Sequence, residues 1–144
     1  MKDVSGDKGK NNNTLTSSWL SSSLKIAPDG QVAFLQKFID NKLPVSVKSQ
    51  ELTRNILFIE DLPEDWKLYG KTGSCSYVNP DGSHDEDYKV GRFVGWIQKD
   101  TRTIAFSHHI EDRNKQATFV SNQARELARE KLVHLIKEEN RSER

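Results

Sequence analysis

The hydrophobic pattern of this chain changes period at Asp61-Leu62-Pro63-Glu64-Asp65, and that change limits the folds open to it. Before the break, apolar residues recur at helical spacing. Val32, Leu35, Phe38 and Ile39 follow Pro28-Asp29-Gly30, and Leu52, Ile56 and Ile59 follow Ser46. Proline suits a first helical turn, where an N–H would be unpaired anyway, and serine is a good N-cap. The first helix is expected to stop near Asn41, ahead of Pro44. After the break the spacing is that of strands: Trp66 to Thr72, ending at Gly73, then Val90 to Gln98 and Thr103 to Ile110. The last two are joined across Lys99-Asp100-Thr101-Arg102, the length of a tight hairpin connection. Asn79 to Asp87 reads as a polar loop. A final helix from about Ser121 to Glu139 carries an apolar stripe of Ala128, Leu132, Leu135 and Ile136. Two helices, three antiparallel strands and a C-terminal helix packed on the sheet make the class α+β. Such a sheet keeps at least one raw edge, which suggests strands that these residues do not supply.

Composition narrows the function. With 22 Lys+Arg against 21 Asp+Glu, the net charge of +1 lacks the cation surplus of a general nucleic-acid or membrane-surface binder. No apolar run approaches the ~18–20 residues that span a bilayer, and Met1 to Asp7 lacks the apolar core of an export signal. The single Cys75 excludes an internal disulfide or a multi-cysteine zinc site, and a buried or inert thiol is expected. Residues 1–16, rich in Lys, Asp, Asn and Ser, are expected to form a polar, partly disordered loop ahead of one structural unit over 17–144. The apolar fraction is only 34%, low for a domain that builds its own core.

The most informative triplet is Lys71-Thr72-Gly73 at a strand end. A cation and a hydroxyl beside a glycine let a carboxylate or carbonyl lie directly against the strand. His84-Asp85-Glu86-Asp87 and His108-His109 match no zinc spacing, so no metal site is read from them. Neighbouring strand residues point to opposite faces, which separates His108 from His109. Trp66 and Trp96 read as core aromatics.

The triplet stands in Tyr69-Gly70-Lys71-Thr72-Gly73-Ser74, followed one strand later by Phe93-Val94-Gly95-Trp96. Upstream are Val4-Ser5-Gly6-Asp7, Ser18-Trp19-Leu20, Leu24-Lys25-Ile26 and Gln31-Val32-Ala33-Phe34-Leu35. In this order and spacing the chain resembles the class D, oxacillinase-type serine β-lactamases, a family in which Lys-Thr-Gly is a signature. The resemblance implies part of a β-lactamase/transpeptidase-like fold and β-lactam hydrolysis through a serine acyl-enzyme. It implies no metal or cofactor, a carbamylated lysine as general base, and a periplasmic home. Lys71, Thr72 and Gly73 would line the active site, with Lys71 and Thr72 meeting the substrate carboxylate. The Ser74 N–H would be an oxyanion donor. Trp19 would pack over the carbamylated lysine with Leu20 as its apolar neighbour, and Arg125 in Ala124-Arg125-Glu126-Leu127 would bind the carboxylate.

The family's Ser-x-x-Lys nucleophile motif, its Ser-x-Val and its Tyr-Gly-Asn would all precede Met1. Ser22-Ser23-Leu24-Lys25 and Ser5-Gly6-Asp7-Lys8 fit the first pattern, but neither offers a serine at a helix N-terminus with its lysine one turn on. Ser76-Tyr77-Val78 fits Ser-x-Val but follows Lys71-Thr72-Gly73 instead of preceding it. The expectation is a C-terminal portion, about half a domain, inactive by itself. A fragment of a β-lactam-binding sensor or penicillin-binding domain, or a non-catalytic interaction protein, is the alternative.

Overall fold

The computed structural model describes residues 26–81, 83–113 and 120–142. The expected polar loop over 1–16, Trp19 and Leu20, and both Ser-x-x-Lys patterns lie outside the described residues.

Helix α1 spans Pro28–Ile39 with Pro28 in its first turn, Asp29 near its N-terminus and Lys37 near its C-terminus. These charges complement the helix dipole. Leu35 and Phe38 are its buried residues. The chain leaves the helix through Asn41, at φ 58, a left-handed conformation that asparagine tolerates. Helix α2 spans Val47–Ile56, and its N-cap Ser46 accepts from the Ser49 N–H at 3.1 Å, as expected. Its buried contact is Gln50, whose amide donates to the Val45 carbonyl and accepts from the Leu43 N–H. Arg54 Nη1 donates to the Phe38 carbonyl and to Asn41 Oδ1, so α2 is tied to the C-terminal end of α1. Polar bonds rather than an apolar stripe thus join the two helices. Leu52 and Ile56, expected on a packed face, are 56% and 81% exposed.

Ile59, the third residue of that expected face, belongs to a strand. After Leu57 the alternating Phe58-Ile59-Glu60-Asp61 forms β1, Phe58–Asp61, which hairpin pairing captures at the end of α2. A 3₁₀ turn, Pro63–Asp65, leads into β2, Lys67–Val78. Strand β3 runs His84–Lys99 and β4 runs Arg102–Asp112, with Asp100-Thr101 as the turn between them. Four strands, not three, make one antiparallel sheet in the order β1-β2-β3-β4. Strands β2 and β3 extend well into the expected polar loop. Their outer parts are held by polar pairs, Ser76 and Lys89 both bonding Glu86, and by the stacked Tyr77 and Tyr88 rings, so no hydrophobic pattern marks them. Helix α3, Val120–Ser142, closes the chain.

The two helical layers cover opposite faces. Phe38 and Leu35 of α1 pack with Trp96, whose ring stacks on Tyr69 at 4.9 Å and meets Phe38 edge-on at 5.9 Å. On the other face Ala124, Ala128, Leu132 and Ile136 of α3 pack with Leu68, Phe93, Ile97 and Trp66. Leu135, expected in the α3 stripe, is 37% exposed; the other three are buried. Trp66 and Trp96 are core residues, as expected. His108 of β4 fastens α3 through Nδ1 and the Ala124 carbonyl at 3.0 Å. A carbonyl only accepts, so Nδ1 carries the proton, and Lys131 Nζ lies 3.3 Å from the other ring nitrogen. Burial, more than the nearby Lys131 and His109 charges, holds the His108 pKa below its ordinary value, against the Ala124 bond.

Two glycines of the sheet differ sharply. A Cβ on Gly95 would lie 2.0 Å from the Tyr69 carbonyl oxygen, whereas one on Gly73 would meet nothing within 4 Å. Urea unfolding of Gly95→Ala is therefore expected to show a loss of about 3 kcal/mol or more, with Gly73→Ala close to the parent. For His108 the unfolded chain takes up the proton first, so stability is full above about 6.5 and falls as the pH drops toward the lower folded value. Replacing His108 with Gln is expected to flatten the urea midpoint over that window; an unchanged slope would assign it to other groups.

Candidate active-site edge

The open edge of β2 is the structural feature that gathers the expected site. Strand β1 is short and pairs only with Lys67 to Tyr69. The last bond on that side is the Gly70 N–H to the Leu57 carbonyl, 2.9 Å. Backbone groups of an antiparallel strand alternate between its two edges. Because Gly70 faces β1, Thr72, Ser74 and Ser76 also aim their N–H and C=O outward, while Lys71, Gly73 and Cys75 face Val94, Arg92 and Val90 of β3. The Ser74 N–H therefore points off the sheet, as an oxyanion donor must.

Side chains alternate across the sheet faces in the same way. Thr72, Ser74 and Leu68 share the α3 face; Tyr69, Lys71, Gly73 and Cys75 share the α1 face. Lys71 bends round to the edge, where its Nζ donates to the outward Thr72 carbonyl at 2.7 Å. Its ammonium, that carbonyl and the Ser74 N–H lie along one strip of bare strand, and Gly73 leaves the approach open. Arg125 stands in the second turn of α3, the helix over the Thr72 and Ser74 face, where its Nη2 bonds Glu126 at 3.2 Å. Among the described residues no hydrogen bond links Arg125 to Lys71–Ser74.

Of the two alternatives expected for Cys75, a buried or an inert thiol, the first does not hold: Cys75 is exposed, because β2 runs on past the part of the sheet that α1 covers. His108 and His109 face opposite sides of β4, as alternation requires: the first meets Ala124 of α3, the second Glu111 and Arg92. His84 to Asp87 lie within β3 rather than in a loop. The described residues hold no group of three or more His, Cys, Asp or Glu side chains suited to a metal. A depression of about 790 Å³, lined by Asp61, Leu62, Asp65, Lys67 and Gln98 among others, reaches β2 only at Lys67 and Tyr69 and takes in none of Lys71–Ser74.

One neighbour of the site was not anticipated. Arg92 is paired with Gly73 in the ladder and shares the Lys71 face. Its Nε donates to His109 Nδ1 at 3.1 Å, and His109 Nε2 meets Glu111 Oε1 at 3.1 Å. Tyr88 donates its phenol proton to Glu111, and this bond is the leading cause of the raised Tyr88 pKa and the lowered Glu111 pKa. The sequence signal for Arg92 is its odd place in an otherwise apolar Val90-to-Ile97 strand; the pairing that puts it beside Gly73 is tertiary.

Comparison with known proteins places the chain in a family. The family model of the penicillin binding protein transpeptidase domain matches residues 1–132. The chain is 41% identical over 106 residues to β-lactamase OXA-9 of Klebsiella pneumoniae, covering 74% of this chain and 38% of that one. It is 49% identical over 78 residues to β-lactamase OXA-1 of Escherichia coli, covering 54% of this chain and 28% of that one. The crystal structure of the class D β-lactamase OXA-427 superposes with a TM-score of 0.83 at 40% identity, over 94% of this chain and 55% of that one. The chain thus spans about half the length of that structure and less of the curated relatives. It belongs to the penicillin binding protein transpeptidase domain family, and its matches within that family are class D, OXA-type β-lactamases.

Proposed function

We propose that this chain supplies the substrate-binding wall of a class D β-lactamase, which hydrolyses β-lactam amides through a serine acyl-enzyme. The observation that carries the reading is the coincidence of Lys71-Thr72-Gly73-Ser74 with the open stretch of the β2 edge. A flat bicyclic amide laid along that edge meets the Lys71 ammonium and the Thr72 hydroxyl with its carboxylate. Its reacting carbonyl comes to the Ser74 N–H, a fixed dipole aimed where negative charge develops. Arg125, from the α3 side, adds a planar two-pronged partner for the same carboxylate. Trp19, outside the described residues, would pack over the carbamylated lysine that serves the family as base, with Leu20 as its apolar neighbour. A periplasmic location goes with this reading, and no described helix is long and apolar enough to cross a membrane.

Binding and bond cleavage separate in this chain. Among the described residues no serine at a helix N-terminus has a lysine one turn on, and on this reading the 144 residues alone hold substrate without cleaving it. A chromogenic cephalosporin mixed with the purified chain is expected to hydrolyse at the buffer rate; turnover blocked by a serine-directed inhibitor would overturn that statement. Binding is read by titrating the labelled chain with benzylpenicillin. Amide shifts are expected at Thr72, Gly73 and Ser74, and Lys71→Ala should weaken binding at least about tenfold through loss of a charge-assisted bond. Shifts elsewhere with none on β2 would sink the assignment of the edge.

A further inference from the structure

Gly73 has Lys71 two residues before it on the same face and Arg92 directly across the ladder. Paired side chains in such a ladder stand about 5 Å apart at Cβ and diagonal ones about 7–8 Å, within reach of two long cations. Between them the floor is bare backbone, since a Cβ at Gly73 would meet nothing within 4 Å.

Arg92 is held rather than loose. Its Nε donates to His109 Nδ1, which must therefore be unprotonated, so the ring proton sits on Nε2 and faces Glu111. Glu111 is fixed in turn by Tyr88, and the Arg113 guanidinium lies 4.6 Å from the Tyr88 ring centre. This chain of contacts uses the Nε of Arg92 and no more. Among the described residues its two terminal nitrogens make no hydrogen bond and it has no carboxylate partner, although Glu111 stands only two residues beyond His109. An arginine used only to pair strands would take the carboxylate. One held through Nε by a neutral imidazole keeps its fork for an anion from outside.

We infer that Arg92, positioned by His109, acts with Lys71 as an anion contact over Gly73, so that this edge favours β-lactams carrying a second negative charge. The inference rests on the proposed reading of the β2 edge. It concerns a group on the α1 face, separate from Arg125 on the α3 side.

The test is a titration of the full chain with benzylpenicillin and with its α-carboxy derivative, which differ by one carboxylate. The parent is expected to bind the dianion about fivefold more tightly at low salt, with the preference fading in 1 M salt. Arg92→Gln should abolish the preference, weakening the dianion about fivefold more than benzylpenicillin. Arg92→Lys, which keeps the charge and guards against misfolding of the first variant, should retain part of it, and His109→Gln should reduce it with no change of charge. Equal affinity of the parent for both compounds, or an undiminished preference in Arg92→Gln, overturns the inference. Should neither penicillin bind, the reading of the edge as a β-lactam site falls. Inorganic sulfate then decides Arg92 by itself: a Gly73 amide shift lost in Arg92→Gln supports the anion contact, and no shift in the parent overturns it.

Discussion

The contact between β2 and β3 at Tyr69, Gly70, Gly95 and Trp96 is the constraint on which the rest of the structure depends. The Tyr69 carbonyl and the Gly70 Cα come so close to Gly95 that no side chain fits there. On one face of this contact the Tyr69 and Trp96 rings stack and give α1 its seat; on the other, Phe93 lies across Gly70 beneath α3. Two small residues thus let two aromatic clusters form back to back. Thin, dense pairing of this kind brings the two apolar clusters into contact through the sheet.

The same contact fixes the site. Once Tyr69 is locked against Trp96, alternation decides which backbone groups of Lys71–Ser74 face outward and which face β3. Strand β1 ends its pairing at Tyr69, so among the described residues the outward groups have no strand beside them. An open strand edge is ordinarily a liability, and here it coincides with a lysine, a threonine and a glycine in sequence. A ligand that pairs with the edge meets the remaining backbone bonds and the Lys71 charge together. Arg92 and His109 join the same neighbourhood from β3 and β4 through the ladder register alone.

Departures from the expected fold share one cause. Strand β1 is four residues long and follows α2 almost without a break, too short for alternation to announce it. The outer parts of β2 and β3 are tied by Ser76, Glu86, Lys89 and the Tyr77–Tyr88 stack, so polar sequence there is strand and not loop. In α2 the apolar residues point outward and Gln50 points in, because the helix is attached by amide and guanidinium bonds. Hydrophobic spacing reports burial of apolar area. It is silent where hydrogen bonds decide the packing.

Local chemistry made much of this chain legible before any folding was considered. Pro28 and Ser46 started two helices, Asp100-Thr101 turned a hairpin, the spacing of Ala128, Leu132 and Ile136 oriented α3, and Lys71-Thr72-Gly73 marked the strand of the candidate site. Each depends on neighbours within a few residues, so the sequence carries it directly. Which edge of β2 stays open, which face receives Lys71, and that Arg92 lies opposite Gly73 depend on pairings between separate strands. Those were decided only in the tertiary structure, because strand register is set by the close packing of Gly70, Gly95, Tyr69 and Trp96, and a slip of one residue would turn every side chain to the other face.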